Sequence, residues 1–400
     1  MLLSNSSLPV FPPELVDAII CEIDDLESLK ACSLVALSWR SRSQRILFDT
    51  LTVTVENYAA LFKLLTESPH IASYITHLIL RMMYAAMPVR DIESIPQILD
   101  KLHNVRRCML AGLQSRMHTV PVSVNSQIAF PPLVLDFLVR QQLRELSFIC
   151  IHIPASALWY LLTTVPKLSF QESVVLPDIG AAETVVHTPV LRSLVLNSTK
   201  DIGQYVVRPQ NMRCLAALRH LSLRSTDDEW AGQLIEAICG TLEHIHLYFA
   251  DSKHPPRNLP QLPALRTLQL TFSSEVFVTA STIVIVNPEV ISRTADILSS
   301  FIFPEMLPAL AEVKIEQLSV GDIVFNPAPL LLPLSAVLDA ALVAYLTPPS
   351  IHWFLDMNDK GIIFARFADT VRRGMPRAYT TGRLVMKTYA ASKTPHFYIS

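Results

Sequence analysis

Two histidines with the spacing of a metal-binding pair, His244 and His246, are the residues whose types and positions most directly suggest chemistry. Residues two apart in a β-strand point to the same face, as two ligands of one zinc ion must. However, His77, His220 and His244 all occupy the third position of one recurring strand pattern, so a solvated strand face explains them without a metal. We therefore expect no bound metal and no other cofactor.

The spacing of the glycines argues against the common nucleotide-binding and hydrolase sites. The nine glycines are never closer than eight residues apart, which excludes the GxGxxG, Walker and GxSxG motifs. The twelve histidines include no HExxH zinc-protease motif. Neither a Ser–His–Asp set nor a Cys–His set can be assembled from spacing alone. We therefore expect a protein that is not an enzyme.

The six cysteines give no sign of a zinc site or a disulfide framework. They are at least 11 residues apart, so no CxxC motif is present. We expect them to be buried thiols in a reducing compartment.

Composition limits the choice of partner and location. The net charge is −2 without a basic stripe, which argues against nucleic acid as the main partner. The mean hydropathy of +0.35 raises the question of a membrane span. The best candidate, 330–346, contains Pro333 and Asp339, so we expect a buried helix over Leu334–Leu346 and no membrane contact. No basic residue precedes Lys30, as a signal peptide would need, and we expect a cytoplasmic or nuclear protein.

The first fifty residues predict three short helices. The run Phe11-Pro12-Pro13-Glu14-Leu15 has proline where a helix begins. Asp24 and Glu27 resemble a capping box for a second helix, and a third is expected from Ser38 towards Phe48. Such a unit has too small a core to be stable alone, so we expect it to pack against a partner or against the next domain.

This segment resembles the F-box, in the version abundant in mushroom-forming fungi. The family pattern is a Leu-Pro start, Glu-Leu, an Ile four residues on, a Leu-x-x-Cys-x-x-Val centre and a closing Trp. The chain matches it at eight positions: Pro12, Glu14, Leu15, Ile19, Leu29, Cys32, Val35 and Trp39. Phe11 stands where the family usually has Leu, and the swap stays apolar. A generic helical hairpin with a core tryptophan is the alternative.

The F-box resemblance implies a docking surface for a Skp-type adaptor and, through it, a cullin. The residues expected to bind the adaptor are Phe11, Pro12, Leu15, Ile19, Leu29, Cys32, Val35 and Trp39. Pro12, Leu15, Ile19 and Leu29 are expected to form an exposed apolar patch.

Beyond Phe48 the sequence repeats one six-residue pattern: apolar, two variable, apolar, one variable, apolar. Its nine copies have their fourth positions at 78, 108, 146, 168, 194, 221, 245, 268 and 313. The five gaps from 146 to 268 are 22 to 27 residues, within the range of leucine-rich repeats. The larger gaps imply insertions, including a possible hairpin at Glu275–Asn287. The usual asparagine after the strand is missing or only hinted at, as in Asn197, so the repeats are irregular.

The pattern predicts which residues are buried and which face outward. Fourth and sixth positions should form the core of neighbouring parallel strands, as in Leu194, Leu196, Leu221, Leu223, Ile245, Leu247, Leu268 and Leu270. Third and fifth positions should lie on the concave sheet, where solenoids usually bind. The target-binding residues expected there are His220, Ser222, His244, His246, Thr267 and Gln269. The alternative is a solvated strand face that binds nothing.

The expected fold is α/β: a short three-helix F-box followed by an irregular leucine-rich-repeat solenoid with a parallel sheet on its concave face. We place the F-box-like domain at 8–49, the repeats at 50–355 and a cap with a basic tail at 356–400. In the last part, Ile351–Leu355 and Arg383–Tyr389 are expected to be strands and Ile362–Arg373 a helix.

The expected function is substrate recognition in an SCF-type ubiquitin ligase, with the F-box on the adaptor and the repeats on an unidentified target protein. The first alternative is a repeat scaffold that takes no part in ubiquitin transfer. An enzyme with an unrecognised site is the second.

Overall fold

A computed structural model describes residues 12–54, 56–82, 95–112, 132–177, 188–224, 229–250, 259–274, 278–279, 282–283, 302–319, 328–356 and 362–389. The chain divides into two compact units, Met1–Ala157 and Leu158–Ser400. Both units combine parallel β-strands with α-helices, so the fold is mixed α/β. The helix Ala155–Thr164 contains the boundary between them.

Three short helices open the first unit, as predicted: α1 (Pro13–Cys21), α2 (Leu26–Val35) and α3 (Leu37–Leu47). Pro13 occupies the first turn of α1, where its missing N–H costs no hydrogen bond. The cap of α2 differs from the prediction by one residue, because the Asp25 carboxylate accepts the backbone N–H of Ser28 at 2.7 Å. Hydrogen bonding from the Ser28 side chain, and then from its backbone N–H, lowers the pKa of Asp25.

The rest of the first unit contains four parallel strands that pair in chain order: β1 (Thr50–Val53), β2 (His77–Met82), β3 (Arg107–Gly112) and β4 (Glu145–Ile149). The short strand β5 covers His152–Pro154. Within the described residues of this unit, the remaining helices are Tyr58–Glu67, Ile95–Leu99 and Pro132–Arg140, with a 3-10 turn at Pro69–Ser73.

Eight parallel strands form the sheet of the second unit. In order of pairing they are β6 (Lys167–Gln171), β8 (Ser193–Asn197), β9 (His220–Arg224), β10 (His244–Ala250), β11 (Thr267–Ser274), β14 (Glu312–Ser319), β15 (Ser350–Asp356) and β16 (Leu384–Tyr389). The short strand β7 covers Val174–Leu176. An antiparallel pair, β12 (Val278–Thr279) and β13 (Thr282–Ile283), lies within the predicted hairpin segment.

The helices of the second unit are Lys200–Val206, Glu229–Ile238, Ala328–Val343, Ile362–Gly374 and Pro376–Thr380, with a 3-10 turn at Met212–Leu215. The buried helix predicted over Leu334–Leu346 therefore begins earlier and ends at Val343. Leu346 lies beyond it and is fully exposed. None of the helices in the described ranges is long and apolar enough to cross a membrane.

The strand register confirms the sequence pattern. Leu194 pairs with Leu221, which pairs with Ile245, and the same row continues through Leu268 to Val313. The eight predicted core residues are each at most 2% exposed. Apolar fourth and sixth positions therefore form continuous rows beneath the sheet, because each strand adds its side chains beside those of the next.

Candidate functional site

The surface of α1, α2 and α3 is the first candidate, and its small core determines which residues remain free. Val16, Ile20 and Leu29 are buried together, with Trp39 partly buried against them. Burying these residues turns the neighbouring positions of α1 outward, leaving Leu15 52% and Ile19 44% exposed. Pro12 is exposed as well. The exposure predicted for these three of the four patch residues is thus confirmed.

Two of the residues assigned to the adaptor surface pack in the helical core. Leu29 is only 5% exposed, so its predicted place in the exposed patch is wrong: its side of α2 faces Val16 and Ile20. Trp39 packs against the same core and is half-buried. Cys32 is half-buried, Val35 is largely exposed, and Phe11 lies outside the described residues.

The junction between α2 and α3 adds apolar surface that the sequence pattern had not singled out. Leu34, Val35 and Leu37 are 86%, 71% and 84% exposed. They flank Ala36, where α2 ends and α3 begins. Four consecutive apolar residues cannot all fit one face of a helix, and this run was the available signal. Leu26, at the start of α2, is also more than half exposed.

The expectation that the six cysteines are buried is wrong for four of them. Only Cys108 and Cys214 are buried, and burial raises the pKa of both thiols. Cys21 is exposed, and its sulfur accepts a hydrogen bond from Arg42 Nη2 at 2.9 Å, which ties α1 to α3.

The second candidate is the strand face of the second unit, formed by side chains at odd positions of the repeat pattern. His220 is exposed, and Ser222, His244, His246, Thr267 and Gln269 are partly exposed. The register places His244 between His220 and Thr267, and His246 between Ser222 and Gln269. The six predicted residues therefore form one block on three adjacent strands.

Four side chains on this face form a continuous hydrogen-bonded chain across four strands. Ser222 Oγ lies 3.1 Å from His246 Nδ1, and His246 Nε2 lies 2.7 Å from Thr271 Oγ1. The Thr271 hydroxyl donates to Glu316 Oε2 at 3.1 Å. Because the Thr271 hydroxyl donates its proton to the carboxylate, it must accept a hydrogen bond from His246 Nε2–H. The unprotonated Nδ1 of His246 then accepts a hydrogen bond from the Ser222 hydroxyl. One imidazole tautomer thus satisfies all three bonds.

This chain resembles a catalytic relay only in part. In a Ser–His–Asp triad the carboxylate contacts the imidazole directly and orients it. Here the Thr271 hydroxyl stands between His246 and Glu316. What the arrangement does directly is fix the orientation of His246 and Ser222, which leaves less side-chain freedom to lose when a partner binds.

Residues at the seventh position were missed, because the sequence pattern was cut after six residues. Arg224, Tyr248, Thr271 and Glu316 all lie there, and the strands are long enough to include them. The Arg224 guanidinium lies over the Tyr248 ring at 4.4 Å from its centroid, a cation–π contact on the same face. The signal available in the sequence was that the seventh position carries Arg, Tyr, Thr or Glu in these four copies, so each has a polar group there.

Charged groups continue the face onto β14 and β15. Glu312 lies 3.3 Å from Lys314 Nζ, an ion pair, and 3.8 Å from His352 Nε2. Among the described residues, no group of three or more His, Cys, Asp or Glu side chains is arranged to hold a metal ion.

The comparisons with known proteins add little. No family model matches the sequence, and no curated protein matches it. Among solved structures, the chain is similar to a plant peptide hormone receptor, RGFR1 in complex with RGF2, with 10% sequence identity and a TM-score of 0.21. The match covers 88% of this chain and 61% of that chain, so it spans less than two thirds of the receptor chain. A similarity with so low a TM-score carries no argument about fold or function.

Proposed function

We propose that this chain is a substrate-recognition subunit of an SCF-type ubiquitin ligase, with an F-box-like segment that binds a Skp-type adaptor. The proposal starts from the resemblance of residues 11–48 to the F-box. The observation that carries it is the apolar surface that α1, α2 and α3 leave in solvent. Contiguous exposed apolar side chains mark interaction sites, because exposing them costs free energy unless a partner covers them.

The adaptor surface in this proposal differs from the one expected from sequence alone. It consists of the outward residues Pro12, Leu15 and Ile19 on α1 and Leu34, Val35 and Leu37 at the junction of α2 and α3. Leu29 and Trp39 contribute by holding the three helices together. Their substitution would weaken adaptor binding indirectly, through loss of the helical core.

The parallel-stranded repeats would be leucine-rich-repeat-like and would hold the target protein. Their regular register and buried fourth-position residues support this part of the proposal. The pre-oriented polar block around His246 offers hydrogen-bond donors and acceptors to an incoming chain. Function would arise from proximity: holding adaptor and target together raises the effective concentration of the target near the ubiquitin-charged enzyme.

The experiment that tests the proposal is co-purification of a Skp-type adaptor with the full chain. Leu15→Asp places a charge in the middle of the exposed patch and should abolish adaptor recovery. The matched control is Leu133→Asp on the helix Pro132–Arg140, because Leu133 is 54% exposed against 52% for Leu15. The control variant should recover the adaptor as the unchanged chain does.

Equal adaptor recovery with Leu15→Asp and with the unchanged chain would refute the F-box assignment. Ubiquitylation of a co-purified protein in a reconstituted reaction then separates a ligase subunit from a repeat scaffold. A scaffold would bind the adaptor and the second protein without any ubiquitin being transferred.

A further inference from the structure

Arginine recurs at a position of the repeat that the sequence pattern leaves variable. The second position is arginine in five of the nine copies: Arg106, Arg144, Arg192, Arg219 and Arg266. In the second unit, Arg192, Arg219 and Arg266 immediately precede β8, β9 and β11. All three side chains are exposed. We call these three residues the arginine row.

A repeated backbone arrangement holds the arginine row in line. The Arg192 carbonyl accepts the backbone N–H groups of Arg219 and His220, both at 3.0 Å. The Glu243 carbonyl accepts those of Arg266 and Thr267 at 2.8 and 3.1 Å, and Glu243 in turn donates to the Arg219 carbonyl at 2.9 Å. Each second position is therefore fixed beside the next at the sheet spacing of about 4.8 Å.

The charges along this edge are not balanced. Arg219 Nη1 pairs with Glu243 Oε1 at 2.9 Å. Neither Arg192 nor Arg266 forms an ion pair with a residue in the described part of the chain. At the second positions of four neighbouring strands, three positive residues and one negative residue therefore leave +2, in a protein whose net charge is −2. The row ends before β14, where Ala311 and Glu312 follow.

We infer that the arginine row binds an acidic, extended segment of a partner protein. This inference rests on the proposed role of the strand face in holding a target, and it names the chemistry of that target. From Arg192 to Arg266 is three strand spacings, about 14 Å, which four or five extended residues span at about 3.4 Å each. Carboxylates on alternate residues of such a segment can meet successive guanidinium groups, which bind carboxylates in bidentate geometry.

The charge distribution favours an acidic protein segment over nucleic acid. Nucleic-acid-binding domains usually carry a strong basic excess, because the phosphates dominate affinity. This chain has no such excess, because its net charge is −2. A short acidic peptide needs only the local positive charge of the row.

The test is fluorescence anisotropy of the full chain with a labelled oligoglutamate peptide. A labelled oligoglutamine peptide, a single-stranded oligonucleotide and anionic phosphatidylserine vesicles serve as comparison probes. The unchanged chain should bind oligoglutamate in preference to the other three, and added salt should weaken binding, since exposed charges are screened. Replacing Arg192, Arg219 and Arg266 together with Gln should weaken binding roughly tenfold, the size expected from three exposed ion pairs.

The matched control replaces Arg213, Arg366 and Arg377 with Gln, which removes the same charge from exposed positions away from the row. It should leave oligoglutamate affinity unchanged. The inference is overturned by failure of the unchanged chain to bind oligoglutamate, by an equal loss in both triple variants, or by preferential binding of the oligonucleotide or vesicles. Adaptor co-purification should be normal in both variants, so failure of this inference is distinguishable from failure of the F-box proposal.

Discussion

The imidazole rings of His220 and His244 stack face to face across neighbouring parallel strands, with centroids 4.4 Å apart and planes 4° apart. Two protonated rings at this separation would repel each other. Burial lowers the pKa of His244 most, and the neighbouring His220 lowers it further, while Glu243 opposes both. Both effects favour the neutral form of the His244 imidazole, so acid should work against this stack.

We predict that acidification from about pH 8 to about pH 5 destabilises the protein in part through His244. In the folded protein the pKa of His244 lies below the ordinary value of 6.5. The stability that the neutral His244 contributes is therefore fully present above pH 6.5, and it is lost as the pH falls through the folded pKa. His244→Gln should therefore lose less unfolding free energy on acidification, measured by urea denaturation at both pH values. The exposed His103 is the control: His103→Gln should lose as much as the unchanged chain. An identical loss in His244→Gln would contradict the prediction.

The polar block on the strand face should determine target binding without supporting the fold. Changing His220, His246 and Gln269 together to Ala removes the stack, the Ser222–His246 hydrogen bond and a neighbouring amide. We expect recovery of a bound target to fall in affinity purification, while adaptor recovery and melting temperature hold. Unchanged target recovery would place the site elsewhere, in the insertions after Leu270 or in the basic C-terminal residues.

The row of buried fourth-position side chains should carry much of the stability of the second unit. Leu268 is 0% exposed and pairs in register with Ile245 and Val313. Leu268→Ala should cost about 2–5 kcal/mol, because it opens a cavity between packed strands. The next residue provides the control: Gln269→Ala, on the opposite face, should change the unfolding free energy by under about 0.5 kcal/mol. Similar costs for the two variants in urea denaturation would mean that this row is not the core.

The sequence was sufficient for the strand register because the repeated leucines mark one residue of each strand. It was insufficient for Leu29, because the resemblance to the F-box indicates an apolar residue here without showing which side of α2 faces the core. Thr271 and Glu316 were missed because the pattern was cut after its sixth position, and their hydrogen bonds link three paired strands. Sequence patterns predict which positions recur along the chain, whereas the side-chain contacts between strands depend on the assembled sheet.

Two glycines should respond in opposite ways to the same substitution. A Cβ on Gly203, in the helix Lys200–Val206, would lie 2.5 Å from atoms of the Trp230 ring. Gly203→Ala should therefore destabilise the protein by about 1–3 kcal/mol, as overpacked cores do. Gly232 lies in the helix Glu229–Ile238, and no described residue beyond the backbone of this helix has an atom within 4 Å of the added Cβ. Gly232→Ala should therefore stabilise by about 0.5–1 kcal/mol. The melting temperatures of both variants test these two predictions. A fall in melting temperature for Gly232→Ala would refute the open space described around Gly232.

The acidic residue in the most apolar helix should hold the C-terminal part of the second unit together. Asp339 is 6% exposed, and its carboxylate accepts the backbone N–H groups of Ala378 at 2.9 Å and Arg377 at 3.3 Å. Asp339→Leu would leave these donors without their acceptor, at a cost of about 1–3 kcal/mol. Asp339→Asn keeps an acceptor oxygen and should cost less. Asp369, exposed and paired with Arg373, is the control, and Asp369→Leu should have little effect. If Asp339→Leu and Asp369→Leu unfold at the same urea concentration, the buried carboxylate does not stabilise this contact.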